Sequence, residues 1–417
     1  MARVLFLTEL LPYPLVSGAK IRAYYVLRHL AQHHQVTLLT FVRGDDRPED
    51  IAHLAGFLEH VYTVPMQRTR LNDVRALLVS LVTGSPAIIA REHCAAMQAQ
   101  VEQLLADGSF DIVHADQIPM AQYGLLGKRP SVRRLLDQHN ATFQLIDRLA
   151  RNEPSPWKRL LLRREASAFE RYERRVCRQF DQVVFVTEED RKTLEWPDGA
   201  DAGRIQGSVI PICVDTDAVE PVQSTARPTR ITYLGTMYWP PNVEGFEWLY
   251  EHVWPEVRRQ APDARLTCIG KRPPARIMAL NEEANVDILG YVPDLSPLLA
   301  ETAVFVVPLR SAGGMRVKIL DAWSWALPVV STTVGGEGIA YRDGDNILIA
   351  DSEHDFASAV IKVLSDPDHS ASLRKAGRRW VEELYDWRQV YAAWDTVYQE
   401  LLAAGPRSGA AGHNWVQ

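Results

Sequence analysis

Residues 303–339 read AVFVVPLRSAGGMRVKILDAWSWALPVVSTTVGGEGI, and the order of apolar and glycine-rich segments in this stretch indicates the fold. The run AVFVVPL (303–309) is continuously apolar, as a strand buried on both faces of a parallel sheet requires. SAGG (311–314) is then a loop at the carboxyl end of that strand, VKILDAWSWA (317–326) a helix, and PVVSTT (328–333) the next strand. The stretch therefore predicts one strand–helix–strand unit of an α/β protein.

The same alternation extends outward through most of the chain. Buried-strand patterns separated by polar or helical segments occur in both halves: RVLFLT (3–8), VTLLTFV (36–42), DIVHAD (111–116), QVVFVT (182–187), RITYLG (230–235) and RLTCIG (265–270). This pattern predicts two Rossmann-like, doubly wound domains that face a central cleft. Ligands of such sheets bind at the carboxyl ends of the strands.

The expected domain boundaries follow from where the pattern restarts. We assign residues 1–206 to an N-terminal domain and residues 207–384 to a C-terminal domain. The segment 219–229 is rich in Pro, Ser and Thr, as is typical of a linker. Residues 385–404 are predicted to be a helix with an aromatic stripe, and residues 405–417 a disordered tail.

Composition excludes several classes of protein. The length of 417 residues favours two or three domains, and a net charge of -6 does not suit a nucleic-acid-binding protein, which is usually basic. The four cysteines form no CxxC motif and suit a reducing cytosol. We expect no signal peptide, and no uncharged apolar run reaches about 18 residues, so a cytoplasmic protein without a membrane-spanning helix is predicted.

The loop and first helical turn after residue 309 are predicted to bind an anion. Gly313 and Gly314 let the backbone approach a ligand closely, and the helix N-terminus adds free N–H groups and its dipole. Arg316 and Lys318 stand in the first turn, where the dipole disfavours cations. An anion would outweigh that penalty, whereas the alternative is that both side chains extend into solvent. Asp321 shares a face with Lys318, so it either accepts hydrogen bonds from ribose hydroxyls or pairs with Lys318.

Two other segments carry weaker signals. Gly235 and Thr236 follow a predicted strand and precede a helix, which suits a phosphate but also suits an ordinary tight turn. Residues 157–180 form a predicted helix with one apolar face and one face that is mostly Arg. The basic face is either simply solvated or contacts an anionic membrane surface or lipid acceptor.

Residues 308–339 resemble the donor-site signature of the retaining GT-B glycosyltransferases of family 4 (group 1). That signature has a strand, a glycine-rich loop, a helix with two glutamates eight positions apart, and an apolar GxPVV-like strand. Asp321 matches the second glutamate, which implies a contact with the nucleotide ribose. Gly313 stands where the first glutamate usually contacts the donor sugar, and the chain is most similar to members with a GxRxKxLEA-like form.

The resemblance continues in order along nearly the whole chain. LLPYPLVSGAKIR (10–22) is similar to the first loop of the family, LLDQHN (135–140) to its strand ending in His, and ILGYVPD (288–294) to the loop beside the base. The helix at 385–404 resembles the one that crosses back to complete the N-terminal domain. Together these features point to the following site residues: catalytic His139, Arg316 and Lys318; donor-binding Gly235, Thr236, Tyr291, Val292, Gly313, Gly314, Met315 and Asp321; and, on the acceptor or phosphate side, Ser17, Gly18, Lys20 and Arg22.

The resemblance implies sugar transfer from a nucleotide-diphosphate sugar to an acceptor hydroxyl with retention, in glycan or glycoconjugate biosynthesis. No cofactor and no metal are expected, since the DxD pair Asp215 and Asp217 resembles a turn of the family rather than a metal site. The expected partners are the nucleotide sugar and an acceptor, which is a glycan, a lipid-linked molecule or a small molecule. Peripheral contact with the inner membrane face is expected through residues 157–180, and no nucleic acid is expected to bind. The alternatives are a nucleotide-sugar epimerase on the same fold and a non-catalytic binding subunit, the latter favoured by Gly313.

Overall fold

The computed structural model describes residues 1–67, 69–127, 129–194, 207–225, 228–311 and 313–404. The expected disordered tail at 405–417 lies outside the described residues. Within them the chain forms two sheets, one of seven strands and one of six, and every strand pair is parallel. This confirms the predicted α/β class with two doubly wound sheets.

The first sheet has the strand order β3-β2-β1-β4-β5-β6-β7. Its strands are β1 (Arg3–Thr8), β2 (Gln35–Val42), β3 (His60–Pro65), β4 (Ile112–Asp116), β5 (Arg133–Gln138), β6 (Gln182–Phe185) and β7 (Gly207–Val209). Its helices are α1 (Gly18–Leu30), α2 (Pro48–Ala55), α3 (Arg70–Thr83), α4 (Ala87–Arg91), α5 (Ala95–Asp107), α6 (Ala121–Gly124), α7 (Thr142–Asn152), α8 (Pro156–Cys177) and α9 (Glu188–Leu194). The strand order reverses between β1 and β4, so the carboxyl ends of these two strands border the crevice where such sheets bind ligands.

The second sheet has the order β10-β9-β8-β11-β12-β13 and reverses between β8 and β11. Its strands are β8 (Arg230–Leu234), β9 (Arg265–Ile269), β10 (Val286–Leu289), β11 (Thr302–Val307), β12 (Val329–Ser331) and β13 (Leu348–Ile349). The helices that follow are α10 (Pro240–Trp248), α11 (Trp254–Gln260), α12 (Ala275–Met278), α13 (Ser296–Ala300), α14 (Val317–Ser324), α15 (Thr333–Gly336), α16 (Glu353–Ser365), α17 (Pro367–Tyr385), α18 (Trp387–Val390) and α19 (Ala393–Ala403). Residues 303–339, quoted at the start of the sequence analysis, therefore form β11, α14, β12 and α15.

The first sheet extends past the expected boundary at residue 206. Strand β7 pairs with β6, and Gly207 permits the close approach, since a Cβ there would lie 2.6 Å from a ring carbon of Phe185. The carbonyl oxygens of Ile210 and Pro211 accept hydrogen bonds from Arg22 of α1. Residues 207–211 are thus held by the first domain, and the crossing to the second comes after them.

The last two helices return to the first sheet. Residue Val214 pairs with Asp386 at the point where the chain crosses back. The predicted single helix at 385–404 is divided between the end of α17, α18 and α19. The aromatic stripe predicted for this segment is buried against the apolar side chains of β1 and β2, and its members are Trp387, Tyr391, Trp394 and Tyr398.

Candidate active site

A glycine-rich loop leads from β11 into α14 at the carboxyl end of the second sheet, and Arg316 is the last residue before the helix. Arg316 is only 8% exposed, and its Nη1 donates to the carbonyl oxygen of Gly313. Its Nε and Nη2 are buried and have no hydrogen-bond partner among the described residues. Burial lowers the pKa of Arg316 to about 10, so the guanidinium is still charged at neutral pH. A buried cation with unpaired N–H groups is unfavourable alone and fits an anionic ligand.

Lys318 lies in the first turn of α14 and is half-buried. Its Nζ donates to Oδ1 of Asn242 over 3.1 Å and lies 5.2 Å from the ring centroid of Tyr233. Burial, together with the positive charge of Arg316, lowers the pKa of Lys318 to about 7. Lys318 is therefore poised to take up a proton when an anion binds nearby.

Asn242 connects Lys318 to the turn predicted at residues 235–236. Its Nδ2 donates to the carbonyl oxygen of Thr236 over 3.0 Å, and its own carbonyl oxygen accepts from Tyr233. Gly235 fits this turn closely, because a Cβ there would lie 3.0 Å from both the Asn242 amide carbon and the Tyr233 hydroxyl. The structure therefore brings Gly235 and Thr236 to the same end of the sheet as Lys318.

Asp321 lies one helical turn beyond Lys318 and is half-buried. Burial raises the pKa of its carboxyl to about 7, and the neighbouring Lys318 opposes that rise. The Lys318 ammonium makes its hydrogen bond to Asn242 and not to Asp321. This geometry leaves the Asp321 carboxyl free to accept hydrogen bonds from a ligand.

The glycine-rich loop touches the first domain. Gly314 has a left-handed φ of 71°, and a Cβ there would lie 1.6 Å from Oδ1 of Asn140, just after β5. A Cβ at Gly313 would lie 3.2 Å from Cβ of Leu145 in α7. Met315, the third residue assigned to this loop, is buried. The two domains are therefore in contact across the cleft at this loop.

His139 lies between β5 and Asn140, across the cleft from that loop. Its Nε2 is 2.9 Å from Oδ1 of Asp116 and 3.6 Å from Oδ2 of Asp137. Burial alone would lower the pKa of His139, but the two carboxylates raise it to about 9. His139 is then an imidazolium at neutral pH, which donates hydrogen bonds and cannot act as a general base.

Arg22, expected on the phosphate side, is instead fully buried in the first domain. Its Nε and Nη2 each donate to the carboxylate of Asp137 over 2.7 Å, and its Nη1 donates to Ile210 and Pro211. The Arg22 guanidinium holds the pKa of Asp137 well below its usual range against the effect of burial. With these four hydrogen bonds satisfied inside the protein, Arg22 supports the strand that carries His139 and does not face a ligand.

The other three first-loop residues lie at the N-terminus of α1. Ser17 is its N-cap, and a Cβ at Gly18 would lie 2.9 Å from Cγ2 of Val317, so this turn touches the start of α14. Lys20 forms a salt bridge with Asp46 over 3.6 Å. Gly18 is therefore close to the second domain, and Lys20 is already paired within its own domain.

Tyr291 and Val292 follow β10, at the outer edge of the second sheet. Tyr291 is 61% exposed, and Nζ of Lys271 lies 4.5 Å from its ring centroid; Val292 is half-buried. An exposed aromatic ring backed by a cation is suited to stacking on a planar group.

The DxD pair is engaged with a cation of the protein itself. Asp215 accepts from Arg388, and Asp217 lies 3.1 Å from the same guanidinium. Asp386, two residues before Arg388, accepts from the hydroxyl of Thr216 over 2.6 Å. These carboxylates lie where the chain crosses back to the first domain, and a divalent ion would have to displace Arg388.

Sequence reasoning missed Asp116, Asn140 and Asn242. Each stands at the end of a strand or the start of a helix, which is the local signal that was available. It also missed the ion pair across the cleft in which Nη1 of Arg148 donates to Oε2 of Glu337 over 2.7 Å. The described residues contain no helix long and apolar enough to cross a membrane.

Comparison with known proteins identifies both halves of the chain. Residues 17–211 match the model of the glycosyl transferase 4-like domain, and residues 228–366 match that of the glycosyl transferases group 1. An uncharacterised 44.6 kDa protein in the cps region of Klebsiella pneumoniae is 20% identical over 94% of this chain and 99% of its own length. A GDP-mannose-dependent alpha-(1-6)-phosphatidylinositol monomannoside mannosyltransferase of Mycolicibacterium smegmatis is 26% identical over 65% of this chain and 71% of its own length.

Solved structures share the arrangement of the two sheets. HepE of Anabaena, crystallised with UDP and glucose, has a TM-score of 0.64 at 14% identity, covering 96% of this chain and 100% of its own. TarM has a TM-score of 0.67 at 12% identity, covering 97% and 99%. These likenesses show the fold, and the two family matches cover both domains. The chain is therefore a member of the glycosyltransferases with the GT-B fold.

Proposed function

We propose that this chain transfers a sugar from a nucleotide-diphosphate sugar to an acceptor hydroxyl with retention of anomeric configuration and without a metal ion. The observation that carries the proposal is Arg316, a buried cation whose Nε and Nη2 have no partner among the described residues. It lies at the N-terminus of α14, where free N–H groups and the helix dipole also favour an anion. A diphosphate supplies the missing acceptor oxygens.

The chemistry asked of these groups is charge stabilisation. When the bond between the anomeric carbon and the donor phosphate oxygen breaks, negative charge develops on the β-phosphate. Arg316, Lys318 and the N–H groups of the adjoining loop stabilise this charge from fixed positions. The acceptor oxygen forms the new bond from the same face, and its proton passes to the departing phosphate. No protein nucleophile is then required.

The other candidate residues are proposed to contact the remaining parts of the donor. Asp321 accepts hydrogen bonds from the ribose, Gly235 and Thr236 contact the phosphates, and Tyr291 with Val292 contacts the base. The imidazolium of His139 has a second N–H, at Nδ1, that can donate to the donor sugar. Neighbours with UDP and relatives named for GDP-mannose both support a nucleoside diphosphate as the common element.

The acceptor is proposed to be lipid-linked or a glycan. Several relatives are named for a phosphatidylinositol mannoside, and one from Rhizobium meliloti for lipopolysaccharide core biosynthesis. An acceptor of this kind would place the enzyme at the inner face of a membrane, where residues 157–180 are expected to make peripheral contact.

Lys318 predicts a pH dependence of nucleoside diphosphate binding. Its pKa of about 7 in the free protein rises in the complex, because the bound anion stabilises the ammonium. Below about pH 7, Lys318 is protonated in both the free protein and the complex. Above about pH 7, Lys318 of the free protein has lost its proton, whereas Lys318 of the complex keeps it, so binding must take up a proton. Affinity for UDP or GDP, measured by calorimetry, should therefore fall at least about tenfold between about pH 7 and about pH 9.

The Lys318→Met variant provides the control for this dependence. It should bind more weakly at the lower pH and show little slope above it. Equal slopes in the two proteins would mean that Lys318 does not titrate on binding.

The function is tested by incubating UDP- and GDP-sugars with candidate acceptors and following both products. Transfer with release of the nucleoside diphosphate, unaffected by a chelator, and an anomeric coupling that matches the donor would support the proposal. Conversion to an epimeric nucleotide sugar would favour the epimerase. Donor binding without turnover of any donor would favour the non-catalytic subunit that Gly313 suggests. Strict dependence on Mn²⁺ would contradict a metal-independent reaction.

A further inference from the structure

Helix α3 exposes the residues that a helix of a globular protein normally buries. Of its side chains whose burial is described, only Ala76 and Ser80 are buried. Six large aliphatic side chains point to solvent, with exposed fractions from 40% to 87%: Val74, Leu77, Leu78, Val79, Leu81 and Val82. Scattered exposed leucines are common on protein surfaces, but six in a helix of 14 residues form a continuous apolar face that indicates an interaction site.

The start of α8 continues this apolar surface. Arg164 of α8 donates from Nη1 and Nη2 to the hydroxyl and carbonyl oxygens of Ser80, so the two helices are in contact. Leu160 and Leu161 lie one turn before Arg164 and therefore on the side of α8 nearest to α3. They are 70% and 44% exposed, and Trp157 is 63% exposed. We call residues 74–82 of α3 and 157–161 of α8 the apolar surface.

The charge around the apolar surface is the opposite of that of the whole chain. Residues 70–83 and 156–164 together contain six Lys or Arg and one Asp, whereas the full sequence carries a net charge of -6. The Lys158 ammonium lies 5.6 Å from the ring centroid of Trp157, and Arg75 is exposed beside Val74. An apolar face that combines leucines and a tryptophan with flanking cations is complementary to the headgroup and acyl boundary of an anionic bilayer.

The apolar surface is connected to the cleft through α7. A cavity of about 600 Å³ opens between α7 and α8, and its lining includes Phe143, Arg148, Arg151 and Arg163. Arg148 also pairs with Glu337 of the second domain across the cleft. A membrane that contacts α3 and the start of α8 would thus hold lipid headgroups beside this cavity, whose lining carries three arginines and the two acids Asp147 and Glu170.

We propose that the apolar surface inserts into the interface of an anionic membrane and so brings a lipid-linked acceptor to the cleft. This relocates the membrane contact expected of residues 157–180 to α3 and the first turns of α8, because the later turns of α8 bury their apolar side against the first sheet. Helix α3 is roughly 21 Å long at 1.5 Å per residue, too short to cross the bilayer core. It would therefore lie in the plane of the interface. Only the identity of the acceptor rests on the proposed function.

Co-sedimentation of the full chain with vesicles tests the proposal. We expect binding to vesicles of phosphatidylcholine mixed with phosphatidylglycerol, weaker binding to phosphatidylcholine alone, and a loss of binding as salt increases. The L78E/V82E variant should lower the partition coefficient at least about tenfold, because two charges would have to enter the interface. The R75E/K158E variant should abolish the preference for anionic vesicles. The matched control M278E/L384E changes exposed apolar residues elsewhere and should bind as the parent does.

Other outcomes would overturn the proposal. If L78E/V82E binds vesicles unchanged but converts a dimer to a monomer in light scattering, the surface joins two copies of the chain. Equal binding of the parent to both kinds of vesicle would remove the role of charge. Calorimetry with UDP or GDP in the absence of lipid separates this test from the proposed function. L78E/V82E should keep nucleotide binding, whereas an Arg316→Ala variant should lose it and still sediment with vesicles.

Discussion

Replacing Arg316 and Lys318 together by alanine is expected to lower kcat/KM for sugar transfer about 10⁴-fold, since each donor aimed at developing charge contributes about 10²- to 10³-fold. Both cations lie at the start of α14, and Arg316 has two N–H-bearing nitrogens without a partner among the described residues. The same change should leave the melting temperature unchanged or slightly raised. Removing a desolvated, unpaired cation relieves a penalty that the folded protein otherwise carries. Initial rates of transfer and a thermal melt would measure the two effects.

The matched control is Arg310→Ala in the same connection. Arg310 is exposed, lies over Trp248 and donates to the carbonyl oxygen of Asp351, so it should change transfer by less than a few-fold. Arg316→Lys should be more active than Arg316→Ala, because it keeps the positive charge. It should be less active than the parent, because an ammonium without the planar guanidinium fork satisfies fewer phosphate oxygens. Nucleotide affinity equal to that of the parent in the double alanine variant would defeat the assignment of a diphosphate to this loop.

The architecture was predictable because its signal is local. A strand covered on both faces is largely apolar, and β1, β2, β8 and β11 all show such runs, interrupted mainly by threonine, in the sequence. Strand β7 lacks the signal, since three residues beginning with Gly207 carry no pattern of their own. Its place beside β6 is decided by pairing and by contacts from α1, which are remote in sequence. The expected boundary at residue 206 was therefore too early for the sheet.

The candidate site could be located from the sequence where a residue contradicts local preference. Two cations at the start of a helix are such a contradiction, and both Arg316 and Lys318 lie at the carboxyl end of the second sheet. Arg22 offered no comparable signal. A buried arginine and an exposed one look alike in a sequence, and its partner Asp137 is 115 residues away. The buried network that raises the pKa of His139 was hidden for the same reason.

The structure offers a reason why position 313 is a glycine. An alanine methyl group at position 313 would lie 3.2 Å from Cβ of Leu145 in α7. A glutamate at this position would crowd the Leu145 side chain, which would have to shift by a few tenths of an ångström. The chain thus combines a glycine in the loop with an apolar side chain opposite it. Contact with the donor sugar at this point would have to come from other groups. His139 is a candidate, because it precedes Asn140, which lies against Gly314 in the same loop.

Replacing Arg22 by methionine is expected to destabilise the first domain by about 3–5 kcal/mol, because it leaves the Asp137 carboxylate buried without its main partner. For a domain of this size the melting temperature should fall by about 10 °C. The Asp137 carboxyl would then gain a proton more readily, and His139 would lose part of the negative charge that keeps it protonated. Calorimetric melts, and the titration of His139 by NMR, would measure both consequences.

Arg28→Met, in the same helix α1, is the control for the loss of an exposed arginine. Arg28 is exposed and contacts the rings of Tyr24 and Trp387, so its loss should change stability by less than about 1 kcal/mol. The double variant R22M/D137L should recover much of the stability, since it removes both buried charges at once. If Arg22 instead contacted the donor phosphate, Arg22→Met would melt like the parent and bind UDP or GDP weakly. Because four hydrogen bonds already hold the guanidinium inside the domain, we expect the reverse: a lower melting temperature, with nucleotide affinity preserved in the folded protein.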